Sequence, residues 1–265
     1  MKKAVFVTGA ASGTGYCIAE TYAKNGYNVV ITSRRQESAD SAAAKIAKDY
    51  GVEAHGYELG IRNEQQVKDI FASLDEKGIF VETLVLNAAN LGFGDDPAKG
   101  MDFWSVPVEE FREVFETNLV WNFMIVRQAA MRMREEKKGT VVFISSNTAH
   151  AAIPNRSAYC ASKGGINAMA KAFAVDLGPY GIRVNAVLPG TIKTERWHRM
   201  GASAIGGMMT PLGDISDFQD VANAAYYLGS DLSKNVTGTE IVVDGGMTAQ
   251  LYPRLLDQLL REKNG

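Results

Sequence analysis

Cysteine is nearly absent. Cys17 and Cys160 are the only two, too few for a disulfide framework or a thiolate metal site, which points to a reducing, cytoplasmic setting. The three histidines, His55, His150 and His198, lack metal-ligand spacing, so no metal is expected. No apolar run approaches the ~20 residues needed to span a bilayer. Net charge is −2 without a basic block, which argues against a nucleic-acid or anionic-membrane partner. Met1-Lys2-Lys3 followed by Ala4–Val7 has the look of a signal peptide, but the apolar run stops at Thr8-Gly9 and reads as a strand. Linkers rich in proline or serine, repeats and low-complexity tracts are also missing, so residues 1–265 are read as one domain.

What is present is alternation. Hydrophobic residues make up 46% and charged residues 22%, enough apolar material for a large core. Strands are predicted at Lys3–Thr8, Asn28–Thr32, Glu53–Tyr57, Thr83–Leu86, Thr140–Ser145, Arg183–Leu188 and Glu240–Val243. Helices fall between them, at about Thr14–Lys24, Gln36–Tyr50, Asn63–Lys77, Val108–Glu135, Ala158–Leu177 and Phe218–Leu228. Strands that alternate with helices imply crossovers, hence an α/β fold with a doubly wound parallel sheet covered on both faces.

The first turn reads Thr8-Gly9-Ala10-Ala11-Ser12-Gly13-Thr14-Gly15, directly between the first strand and first helix. Glycines there let backbone amides approach a phosphate, and a helix N-terminus offers unpaired N–H groups to an anion. A tight strand-to-helix connection would use the same residues. The spacing T-G-x-x-x-G-x-G also differs from the standard dinucleotide fingerprint.

Further along, Tyr159 and Lys163 stand four apart in a helical segment and share a face. A phenol ionises near ~10, too high for efficient acid–base work near neutrality, and an adjacent ammonium lowers that value. Alone, the spacing is also that of ordinary surface neighbours.

Together, the T-G-x-x-x-G-x-G turn, Asn87-Ala88-Ala89, Ser146, Tyr159-x-x-x-Lys163 and Pro189-Gly190 resemble the short-chain dehydrogenase/reductase family, over about residues 3–246. The resemblance implies a Rossmann-type sheet of about seven strands that binds NAD or NADP through Gly9, Ser12, Gly13, Thr14, Gly15, Asn87 and Ala88. It also implies a catalytic tetrad of Asn118, Ser146, Tyr159 and Lys163. Tyr159 would exchange a proton with the substrate oxygen, and Ser146 would hold that oxygen. Lys163 would lower the Tyr159 pKa and bind the nicotinamide ribose, and Asn118 would position a proton-relaying water. Pro189, Gly190, Ile192 and Thr194 resemble the P-G-x-x-x-T segment that holds the carboxamide. Two positions depart from the family pattern: Gly60 stands where an adenine-contacting Asp is common, and Ala89 replaces a glycine.

The second strand ends Ile31-Thr32-Ser33-Arg34-Arg35, without the acid that NAD enzymes place against the adenosine ribose. Ser33 and Arg34 therefore predict NADP(H) over NAD(H), since a guanidinium there pairs with a 2′-phosphate. A solvated loop pair is the plainer reading.

The resemblance implies a substrate-covering segment after the sixth strand, here about 191–212, with Trp197, His198, Met200, Ile205, Met208, Met209 and Leu212. Leu91, Phe93, Met101, Phe103 and Trp104 would add to it from the loop after the fourth strand. As a pocket lining, this set favours a bulky apolar ketone such as a steroid or bile acid. It equally suits helix packing or subunit contacts. Asn147, His150 and Asn155 would suit a sugar instead, and a 3-oxoacyl substrate or a non-catalytic nucleotide-binding regulator is a further alternative. Beyond Gly246 a C-terminal extension, about 247–265, places Leu251, Leu255, Leu256, Leu259 and Leu260 at helical spacing, with Arg254, Asp257 and Arg261 outward. The family resemblance implies a homotetramer or homodimer.

Overall fold

The computed structural model describes residues 2–92, 103–195, 197 and 203–264. Strands β1 (Lys2–Val7), β2 (Asn28–Ser33), β3 (Ala54–Glu58), β4 (Ile79–Leu86), β5 (Gly139–Ile144), β6 (Ile182–Pro189) and β7 (Glu240–Val243) form one sheet. Its order is β3-β2-β1-β4-β5-β6-β7, and every neighbouring pair is parallel. The order reverses between β1 and β4, and ligands bind in the crevice beyond the strand C-termini at such a point. This is the doubly wound fold that the alternation predicts.

The helices are α1 (Gly13–Lys24), α2 (Gln36–Tyr50), α3 (Glu64–Glu76), α4 (Val108–Phe115), α5 (Trp121–Glu136), α6 (Ser157–Leu177), α7 (Ser203–Met208), α8 (Phe218–Gly229) and α9 (Arg254–Asn264). Successive strand side chains point to opposite faces, so each strand feeds two cores. Phe6, Leu84, Leu86 and Phe143 pack with residues of α3, α5 and α6. Val5, Val7, Val85 and Val142 pack with residues of α1, α2 and α8 on the other face.

Three elements differ from the sequence expectation. First, β4 begins at Ile79 rather than Thr83, because its register against β1 slips between Ala4 and Val5 and leaves Glu82 as a bulge. Lys3 Nζ at 3.0 Å and Lys138 Nζ at 2.6 Å neutralise that buried carboxylate. Second, the helix expected over Val108–Glu135 is interrupted by a π-helical turn, Glu116–Val120, between α4 and α5. Third, α7 lies inside the 191–212 segment, where the sequence predicts no helix.

The tail does form the expected helix, α9. Leu256, Leu259, Leu260 and Arg261 remain exposed on it and Leu251 is exposed just ahead of it, while the side chains of Arg254, Leu255 and Asp257 lie outside the described residues. No helix among the described residues is long and apolar enough to cross a membrane.

Candidate active site

The turn after β1 is built around Thr8. Its hydroxyl accepts from the amides of Asn87 (2.9 Å) and Ala88 (3.0 Å), which ties the end of β1 to the end of β4. The Asn87 amide nitrogen donates back to Thr8 O and Gly9 O, at 3.1 and 3.2 Å. Gly9 and Gly13 adopt φ of +62° and +58°, where a side chain is strained. Gly15 is required for space: a Cβ there would fall 2.5 Å from Gly9 O and 2.6 Å from Asn87 Nδ2. Ser12 caps α1 through its backbone, and its hydroxyl makes no capping bond. The amides at the start of α1 thus face the turn as an anion cradle.

A cleft of about 950 Å³ opens beside this turn, at the switch between β1 and β4. Gly9, Ser12, Ser33, Arg34, Asn87 and Ala88 are in its wall, with Leu59, Glu110, Thr117 and Trp121. The size, the glycine cradle and the charged rim fit a dinucleotide. Gly13 lies in a neighbouring depression with Arg35 and Lys45, while Thr14 and Gly15 belong to neither wall. Where the family's adenine-contacting Asp would sit, the Gly60 amide donates to Gln66 Oε1 at 2.8 Å.

The four residues of the expected tetrad come from separate elements. Ser146 follows β5, and its Oγ accepts from Thr148 N at 3.1 Å, capping the short turn Asn147–Ala149. The same side chain stands close enough to the Tyr159 phenol, in the first turn of α6, to draw its pKa down. Lys163, one turn on and buried, sends Nζ to Ile144 O at 2.8 Å and lies 5.5 Å from the Tyr159 ring centroid. Asn118 sits at the centre of the π turn with its amide fully engaged. Asn90 N donates to its Oδ1 at 2.8 Å, while Nδ2 donates to Asn90 O and Ser162 Oγ, both at 2.9 Å. These bonds offset the interrupted helix ladder, as does Asn122 Nδ2 on the Asn118 carbonyl. Asn118 makes no direct bond to Lys163. It reaches α6 through Ser162, whose hydroxyl donates to Tyr159 O at 2.8 Å.

A family model described as enoyl-(acyl carrier protein) reductase matches residues 9–248. The chain is 31% identical to a 3-oxoacyl-[acyl-carrier-protein] reductase of Aquifex aeolicus, covering 92% of this chain and 97% of that one. It belongs to the short-chain dehydrogenase/reductase family. It is also 30% identical to a 3alpha-hydroxysteroid dehydrogenase of Mediterraneibacter gnavus, over 92% of this chain and 96% of the relative. Among solved structures, ElxO with NADP bound superposes with a TM-score of 0.85 at 28% identity, covering 94% of this chain and all of that one.

In this short-chain dehydrogenase/reductase, burial pushes the Tyr159 phenol up to about 12; Ser146 draws it down, Cys160 adds to the rise and Arg156 opposes it. The direction is opposite to the sequence expectation, because Lys163 is turned to Ile144 O and is itself pulled down to about 7 by burial. A phenol held protonated at neutral pH is the form that donates a proton to a carbonyl oxygen. A hydroxyl beside that phenol, as Ser146 provides, is the kind of group that can hold such an oxygen as charge develops on it. When bound, the nicotinamide cofactor supplies the hydride.

The buried lysine makes stability depend on pH. Between about pH 7 and the ordinary lysine value the unfolded chain holds the proton that folded Lys163 has lost, so stability rises with pH there. Above ~10 an unfolded phenol ionises while Tyr159 stays protonated to about 12, so the trend reverses. The Tm of the cofactor-free protein should therefore climb from about pH 7 towards 10, and Lys163→Met should flatten the climb. A variant whose Tm tracked wild type across that window would contradict the buried amine.

Opposite the glycine turn, Gly190 N donates to Val243 O at 2.9 Å, and a Cβ at Gly190 would fall 2.6 Å from Asp244 Cβ. Ile192 bridges to Ser216, and Thr194 Oγ1 accepts from Trp197 N at 3.3 Å. Pro189, Gly190, Ile192 and Thr194 are thus held together at and just beyond the end of β6, and the wall of the large cleft does not include them. Of the expected covering residues, Phe93, Met101, His198 and Met200 lie outside the described residues, as does the Ile205 side chain. Met208 and Met209 are half-buried and Leu212 is exposed.

Sequence reasoning missed Thr8, Asn90, Ser162 and Arg156. Thr8 and Ser162 stand inside the quoted motifs and were open to discovery there. Arg156 carried no signal: it is buried at the N-cap of α6, where the helix dipole disfavours a cation.

Proposed function

We propose that this protein is an NADP(H)-preferring ketoreductase that interconverts a bulky apolar ketone, such as a steroid, and its secondary alcohol. The cofactor preference rests on the cleft wall, where Ser33 and Arg34 stand at the end of β2. Glu58, opposite Ser33 in the β2–β3 ladder, is not part of that wall. The NADP bound in ElxO supports the same class of cofactor.

The observation that carries the substrate reading is where the polar side chains point. Asn147 Nδ2 donates to Asp244 at 3.2 Å, and His150 Nε2 lies 2.8 Å from Glu240. Two of the three groups expected to suit a sugar are thus engaged within the protein, and the third, Asn155, stands on the surface. Leu91 lines the cleft, and Phe103, Trp104 and Leu212 stand exposed in the segments after the fourth and sixth strands. The M. gnavus relative, named for a 3alpha-hydroxysteroid, supports this choice. The A. aeolicus relative favours a 3-oxoacyl thioester as the second reading.

NADPH consumption with ketosteroid, keto-sugar and 3-oxoacyl thioester panels separates these readings. The highest kcat/KM is expected on ketosteroids, and turnover confined to keto-sugars would remove the apolar reading.

A further inference from the structure

Behind the Ser146–Tyr159 pair lies a second set of polar side chains that proton transfer does not use. Ser145 Oγ is 3.2 Å from Lys163 O and 2.6 Å from Asn167 Oδ1, and all three residues are buried. Asn167 Nδ2 donates to Glu240 Oε2 at 2.9 Å. Glu240 opens β7, and two nitrogen-bearing side chains face it. His150, from the turn after β5, lies 2.8 Å from Oε2, and Lys171 of α6 lies 2.7 Å from Oε1. Burial would raise the Glu240 carboxyl, but Lys171 and then His150 outweigh it and hold it below the usual range. It is therefore an anion at neutral pH.

The placement is what matters. Asn167 and Lys171 follow Lys163 by one and two turns, on one face of α6. Ser145 directly precedes Ser146. The chain Ser145–Asn167–Glu240 therefore joins the element that carries Ser146 to the one that carries Tyr159 and Lys163. Buried polar groups are costly unless paired, so such a network resists any slide of α6 along β5. Proton transfer between positioned groups tolerates little misplacement.

We propose that Asn167 and Glu240 are positioning residues, whose hydrogen-bonded chain to Ser145 sets α6 on the sheet and thereby fixes Ser146, Tyr159 and Lys163 relative to one another. This rests on the ketoreductase reading above.

The test is Asn167→Asp. It keeps an acceptor for Ser145 but turns a carboxylate oxygen towards Glu240 in place of an N–H. Two carboxylates at that distance cannot both ionise without strong repulsion. At about pH 8, kcat should fall about tenfold or more with the KM for NADPH unchanged, and recover as pH falls and the pair shares a proton. Adding Glu240→Gln restores a donor opposite the introduced carboxylate and should return kcat to near wild type at that pH. Asn167→Leu, lacking both bonds, should keep a low kcat at every pH. A wild-type kcat profile for N167D, or a double variant no faster than N167L, would overturn the proposal. Should N167D not fold, the comparison of the double variant with N167L decides alone. The Tm of N167D against pH reads the carboxylate contact without turnover: it should rise on acidification relative to wild type, and parallel curves would count against the contact. Loss of the ketoreductase reading looks different, since wild type would then consume NADPH with none of the carbonyl panels.

Discussion

Tyr159→Phe should lower ketone turnover by about three orders of magnitude while leaving NADPH binding intact, within the range that removal of a positioned general acid costs. The substitution deletes one oxygen from a residue whose backbone begins α6, so the helix and the cradle should persist. Ser146 loses the phenol hydroxyl beside it and the substrate oxygen loses its proton source. Steady-state NADPH oxidation gives the turnover, and fluorescence titration with NADPH gives the binding. Equal rates for variant and wild type would end the assignment of Tyr159 as the acid. A rate loss matched by an equal loss of NADPH affinity would instead mark it as a binding residue.

Ser33→Asp should reverse the coenzyme preference. The position lines the cleft at the end of β2, and Arg34 follows it in the same wall. A carboxylate there would repel a 2′-phosphate and accept from the ribose hydroxyls of a cofactor without one. Charge-assisted phosphate contacts are worth ~1.5–3 kcal/mol, so the ratio of kcat/KM for NADPH over NADH should fall by about a hundredfold. An unchanged ratio would place the phosphate site elsewhere, and the depression lined by Arg35 and Lys45 would be the next to test.

Much of this was legible because the signals are local. Apolar runs broken by glycine mark buried parallel strands, and six of the seven strands begin within one residue of the sequence expectation. The exception, β4, failed for a readable cause: Glu82 interrupts the apolar run, and only the packed sheet brings Lys3 and Lys138 to it. The π turn was invisible for a similar reason. The stretch around Asn118 has a normal helical pattern, and its extra residue is held by bonds to Asn90 and Ser162, distant in sequence.

The alternation of strands and helices already determines the fold class, and the order and spacing of Gly9, Ser146, Tyr159 and Lys163 point to the family, because these signals are set within local segments of the chain. What only the tertiary structure decides is the electrical state of those groups and who holds them in place. Tyr159 and Lys163 are neighbours on one helix, yet burial moves their pKa values apart and Ile144 O accepts from Lys163 Nζ. Desolvation and hydrogen bonding depend on what surrounds a group in space, and residues such as Arg156, Asn167 and Glu240 act only once the helix has docked on the sheet.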